Sequence, residues 1–170
     1  VGVRVPVAVG VMIRLGFWQL DRMEEKEAML ARFAAAEAMS SAVRWPATPD
    51  QRDAALFRHS SVTCSKVLGI SAMSGRNARG ESGWAHVARC ALDGGGEADV
   101  VLGWSREMRT ASWTGGEAIG FVAPGREESA RLVASPPLAG LEASAAPDPR
   151  DIPNNHFAYA VQWFLFAGVA

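Results

Sequence analysis

After His156 every residue but Gln162 is apolar, aromatic or tyrosine, through Phe157-Ala-Tyr-Ala-Val-Gln-Trp-Phe-Leu-Phe-Ala-Gly-Val-Ala170, and a run of that kind has to be covered by something other than water. The approach carries a helix-start signal. Pro153 fixes φ, and Asn154 or Asn155 can accept from the first free backbone N–H groups. From Phe157 to Ala170 a helix would be roughly 21 Å long, against a hydrocarbon core of about 30 Å. The run is still apolar at Ala170, so the expectation is a second transmembrane helix over 153–170 that continues past that residue.

The beginning of the chain resembles its end. Val5–Ile13 is apolar and small, Arg14 interrupts, and Leu15-Gly-Phe-Trp-Gln-Leu20 follows. An arginine near the bilayer centre costs roughly 2.5–3.5 kcal/mol on insertion scales. A buried core helix and an uncleaved signal-like segment are the alternatives, although no Ala-x-Ala cleavage pattern follows. Taken with the second apolar run, residues 1–20 are expected to form a first transmembrane helix. Asp21–Ala38 then lacks Gly and Pro and puts Leu20, Met23, Leu30 and Phe33 on one face, which predicts an amphipathic helical extension over 21–40.

Between these ends the period changes from helical to alternating. Ser40–Asp53, around Trp45-Pro46, is expected to be a loop. Phe57–Ile70 predicts a half-buried strand with Val62, Cys64, Leu68 and Ile70 on one face, and Ser74–Gly80 an exposed turn. Trp84–Leu92 alternates again, Asp93-Gly-Gly-Gly96 is a hairpin turn, and Asp99–Trp104 is a more completely apolar strand. Further strands are expected at Glu117–Ala123 and Ala130–Ala134, and Ser135–Pro153 is an extended connection. The predicted fold class is an α+β membrane protein, with two terminal transmembrane helices flanking an antiparallel β-rich, barrel-like domain over 41–152.

Composition excludes some functions. A net charge of −1 with no basic run argues against nucleic acid, because phosphate neutralisation needs clustered cations. Gly94-Gly95-Gly96 precedes a strand, whereas a phosphate cradle needs a strand before it and a helix after it. Cys64 and Cys90 are the only cysteines, and without zinc-ligand spacing they are buried thiols, a cross-strand disulfide, or, for Cys90 beside His86, a nucleophile pair. His59 and His86 fall on strands and are most simply structural. His156 sits in the first turn of the terminal helix, at the positive end of the helix dipole, a setting suited to the neutral imidazole that iron ligation needs. Tyr159, Ala160, Trp163 and Ala167 share its face and offer an aromatic and small-residue surface for a flat macrocycle; an interfacial aromatic belt would show the same residues.

Leu15-Gly-Phe-Trp-Gln-Leu-x-Arg22 with Lys26, and Ile152-Pro-Asn-Asn-His156 with Tyr159 and Trp163, resemble the two terminal signatures of the Surfeit locus protein 1 family. Gly103-Trp104 is similar to that family's central Gly-Trp, and Phe57-Arg58 to its aromatic-Arg pair; the family usually has Arg-Gly-Trp where this chain has Leu102-Gly103-Trp104-Ser105. The resemblance implies a non-enzymatic assembly factor for cytochrome c oxidase in the bacterial inner membrane, with the β-domain in the periplasm. It implies haem a as cofactor, His156 as ligand of the haem iron, and Trp18, Tyr159 and Trp163 around it. The implied partners are the catalytic subunit of a haem-copper oxidase and the lipid bilayer. A membrane-anchored scaffold that stabilises oxidase subunits without a cofactor is the alternative.

Overall fold

The computed structural model describes residues 4–37, 41–127, 129–151 and 155–169. Pro153, Asn154 (one of the two expected caps), Ala170, and the end of the amphipathic segment at 38–40 lie outside the described residues, whereas Asn155, the other expected cap, directly precedes the last helix. In chain order the elements are α1 (Arg4–Glu37), α2 (Pro49–Ala55), β1 (His59–Arg76), β2 (Ser82–Leu92), β3 (Glu97–Ser105), β4 (Gly116–Pro124), β5 (Ala130–Ala134), a 3-10 turn at Pro149–Asp151, and α3 (His156–Val169). The chain divides into two compact units, Val1–Ala34 with Pro149–Ala170, and Ala35–Asp148.

The first unit is a helix pair. Reduced exposure along α1 passes through Val9, Met12, Gly16, Gln19, Met23, Lys26, Leu30 and Phe33. Alternating steps of three and four keep such positions on one side of a helix. The matching stripe on α3 is His156, Ala160, Trp163, Phe164 and Ala167. Gln19 meets His156 at the start of α3, while Phe17 packs edge-on against Phe164 further along, with ring centroids 5.5 Å apart. The two helices are therefore antiparallel. A Cβ at Gly16 would lie 2.5 Å from the Phe164 ring, so glycine at that position lets the ring close onto α1.

The expectation of two terminal transmembrane helices is corrected here. Among the described residues no helix is long and apolar enough to cross a membrane. Helix α3 has 14 residues, about 21 Å of rise. Helix α1 has 34 residues and is long enough, but Arg14 falls inside its apolar half and charged residues begin at Asp21, directly after that half ends.

The second unit is built on a closed strand order, β1-β2-β3-β5-β4, with β4 pairing back onto β1. The sheet is mixed, not antiparallel as expected: Asp99↔Arg131, Val100↔Leu132 and Val101↔Val133 pair β3 and β5 in parallel. The reason is topological. Strand directions cannot alternate all the way round a ring with an odd number of members, so at least one neighbouring pair must run the same way. Strand β3 is buried on both faces, with Val100 and Leu102 in a core with Val62, Ala88, Ala118 and Leu132, and Val101 in a second cluster with Ala85, Val87, Ala123 and Val133. That accounts for its continuous apolar sequence.

Three local differences from the sequence reading have physical causes. Thr48 caps a short helix, α2, inside the expected loop by accepting from the Gln51 N–H, with Pro49 in its first turn; seven residues are too few to show an apolar period. Strand β1 runs on to Arg76, because Ser74, Gly75 and Arg76 pair with Trp84, Gly83 and Ser82. Irregularities between Cys64 and Lys66 and between Val67 and Gly69 shift its alternation, so Val67 and Ile70 face the core and Leu68 faces out.

Two contacts lock this unit. Cys64 and Cys90 form a disulfide across β1 and β2, Cα atoms 5.3 Å apart and 26 residues apart in sequence, so of the three readings the disulfide holds. Gly103 lets the 137–142 segment lie against β3: a Cβ there would stand 2.6 Å from the Glu142 carbonyl oxygen, and Glu142 exchanges backbone hydrogen bonds with the fully buried Trp104. Chain-entropy arithmetic for a loop of that length gives about 3.5 kcal/mol from the disulfide. Replacing both cysteines by Ala is expected to remove stability of that order, measured as the loss in unfolding free energy in urea; a loss below about 1 kcal/mol would contradict it. Gly103→Ala is expected to cost about 1–3 kcal/mol in the same assay by overpacking.

Candidate functional site

The residues singled out by the sequence lie on the helix pair. His156 opens α3 and is partly buried, and the first turn forms as the Tyr159 N–H donates to the Asn155 carbonyl at 3.2 Å. Its Nδ1 lies 2.8 Å from Gln19 Oε1. An amide oxygen only accepts, so Nδ1–H donates to it, and in the neutral ring the lone pair is on Nε2. A metal-binding histidine is oriented in this way, with one ring nitrogen anchored and the other left basic and free.

The other three candidates differ in setting. Trp163 is on the His156 stripe, two turns along, and packs edge-on with Phe166 at 6.1 Å. Tyr159 lies at the border of the stripe and is half exposed. Trp18 is also half exposed, with the Arg22 guanidinium carbon 5.6 Å from its ring centroid. Neighbouring residues on a helix point about 100° apart, so Trp18 does not share the direction of Gln19, and it is Gln19 that meets the histidine. Between the helices the closest packing is filled by Gly16, Ala160, buried to 1% exposure, and Phe164. Flat apolar surface is therefore offered at the edges of the pair.

The SURF1 family model matches residues 7–168, from the first turns of α1 to the last turn of α3. The chain belongs to the SURF1 family. No curated protein matches it. The SURF1 family is one of cytochrome c oxidase assembly factors, membrane-associated and not a family of catalytic enzymes.

Within this SURF1-family chain the reading of single residues missed Gln19 as a partner of His156. The signal was present, since Gln19 closes the quoted Gly-Phe-Trp-Gln element, but nothing in one sequence pairs residues 137 positions apart. The other histidines have different settings. His86 is 1% exposed, and its Nε2 lies 2.7 Å from Ser105 Oγ, whose hydroxyl donates to the Glu107 carbonyl. The hydroxyl has one proton, so His86 Nε2–H donates to the oxygen and offers no lone pair there. Burial, helped by the nearby Arg109 charge, pulls the His86 pKa below its ordinary value. Cys90 is tied to Cys64 and has no thiol with which His86 could form a nucleophile pair. His59 stacks at a tilt on Phe121, ring centroids 4.2 Å apart.

Two predictions follow from these settings. Gln19→Leu is expected to shift His156 from mainly Nδ1–H toward the Nε2–H tautomer, read from imidazole nitrogen shifts; an unchanged tautomer ratio would refute the anchoring role. For His86, the unfolded chain takes up a proton below about pH 6.5 while the folded protein resists it, so this group makes stability rise with pH. Its contribution is present above that range and lost as pH falls through it. Urea midpoints between about pH 5 and 7.5 are expected to rise less steeply in His86→Gln than in the parent chain.

Proposed function

We propose that this SURF1-family chain holds haem a through His156 and passes it to the catalytic subunit of a haem-copper oxidase during assembly. One observation carries the reading: Gln19 fixes the His156 proton on Nδ1, leaving Nε2 as a neutral nitrogen donor. A single such donor beside flat aromatic side chains suits a macrocycle held by one axial ligand. Among the described residues no group of three or more His, Cys, Asp and Glu could hold a bare ion, so a ligand bringing its own metal is the better fit.

His156 would hold the haem iron. Trp163, on the same stripe, together with Tyr159 and Trp18, would supply flat apolar contact. The bound group would bring the redox-active iron centre that the oxidase needs, and the chain's own part is to bind, orient and release it. Gln19 keeps the ring from turning or changing tautomer. A lipid setting for the helix pair is supported by its exposed apolar side chains: Val7, Val11, Phe17, Phe157, Leu165 and Val169 are each more than half exposed. The Cys64–Cys90 disulfide supports an extracytoplasmic, periplasmic setting for the β-unit, since such bonds persist in oxidising compartments.

The test is an optical spectrum of the protein produced together with haem a synthesis. The parent chain is expected to purify with stoichiometric haem a. His156→Ala should lose it while keeping the urea midpoint of the parent, and Gln19→Leu should bind about 10–100-fold more weakly, as loss of such an orienting partner does. A colourless parent chain that still co-purifies with oxidase subunits would replace this reading with that of a scaffold without a cofactor.

A further inference from the structure

The β-unit carries a cleft of about 600 Å³ that the haem reading does not use. Residues of strands β1, β2, β3 and β5, with Arg126, Glu127 and Ser129, line it, and Ile70, Met73 and Val87 are its apolar part. Arg131 and Asp99, register partners across the parallel β3/β5 pair, both face it.

Arg131 is unusual among the arginines here. It is partly buried, and its Nε is shielded from solvent with no hydrogen-bond partner among the described residues. Its Nη1 reaches only the thioether of Met73, at 3.7 Å. No carboxylate lies within ion-pair distance of it among the described residues; Glu97, on the same wall, is taken by Arg89 at 2.7 Å. Burial lowers the Arg131 pKa, the Asp99 charge opposes that shift, and Arg126, also lining the cleft, adds to it. Asp99 acts on this partly buried guanidinium through its charge without an ion-pair contact, so among the described residues its desolvation cost is only partly offset. A planar fork of N–H donors matches carboxylate and phosphate oxygens, and Arg126 adds a second positive charge at the mouth.

We propose that this cleft binds an oxyanion, carboxylate or phosphate, carried on an apolar body, with Arg131 as its anchor, Arg126 as the second cation, and Ile70, Met73 and Val87 against the apolar part. Asp99 and Glu127 also line the cleft, so the site selects a single anionic head and disfavours polyanions. The site is independent of His156.

The experiment follows the Arg131 and Arg126 side-chain Nε–H resonances of the full chain during titration with octanoate, acetate and inorganic phosphate, with sodium chloride at matched ionic strength as control. Octanoate is expected to shift both resonances saturably and to bind at least tenfold more tightly than acetate. A phosphate response stronger than that of octanoate would mark a phosphate head as the natural source, and the reverse order a carboxylate. Arg131→Lys, which keeps the charge without the fork, should weaken binding at least tenfold, and Arg131→Gln should abolish it. The proposal falls if no titrant exceeds the chloride control, or if either variant binds as the parent does.

Discussion

Cys64 is the point on which the β-unit turns. Strand β1 pairs with β4 over residues 59–64 and with β2 over residues 64–76, and Cys64 belongs to both ladders, opposite Gly116 on one side and Leu92 on the other. A single strand of 18 residues thereby closes the sheet, and the irregularity just after Cys64 is the local bend that allows it. The disulfide to Cys90 holds β1 to β2 at this handover. Closure of five strands in turn requires a parallel pair, here β3/β5, which brings Asp99 beside Arg131 at the cleft. The outer cleft and the inner core are two results of one closing strand.

The helix pair obeys a different constraint, that of one polar contact in an apolar seam. Apart from Lys26 near its far end, its stripes are Val, Met, Gly, Leu, Ala and aromatic residues except where Gln19 meets His156. A polar pair in such a seam is satisfied only in one register, so the contact that orients the imidazole also specifies how α1 and α3 align. Gly16 leaves room for the Phe164 ring to close onto α1. Helix alignment and imidazole orientation thus rest on one hydrogen bond.

Period-two alternation was enough to find β1 and β2, because one buried face imposes it, a short apolar run between turns found β3, and the absence of Gly and Pro over 21–38 with an apolar face was enough to find the helical extension of α1. Less legible was anything depending on a partner distant in sequence. The outward turn of Leu68 comes from an irregularity in the ladder to β2, the extension of β1 from its pairing with Ser82–Trp84, and the short helix α2 from one cap. The expected membrane spans were drawn from apolarity alone. Among the described residues no helix is long and apolar enough to cross a membrane, and Arg14 falls within the apolar half of α1.

For the candidate site the division is similar. The sequence by itself determined that His156 opens a helix, that aromatic and small residues follow at helical spacing, and that the terminal signatures belong together, since all of these are local patterns or ordered motifs. Only the tertiary structure decided that Gln19 accepts from Nδ1 of His156, that Trp163 shares the histidine's stripe while Trp18 does not share the direction of Gln19, that the two cysteines are bonded, and that Arg131 meets no carboxylate at ion-pair distance among the described residues. The physical reason is that protonation state, orientation and unmet charge depend on which distant atoms come within about 3 Å, and one chain read in order carries periodicity but not proximity.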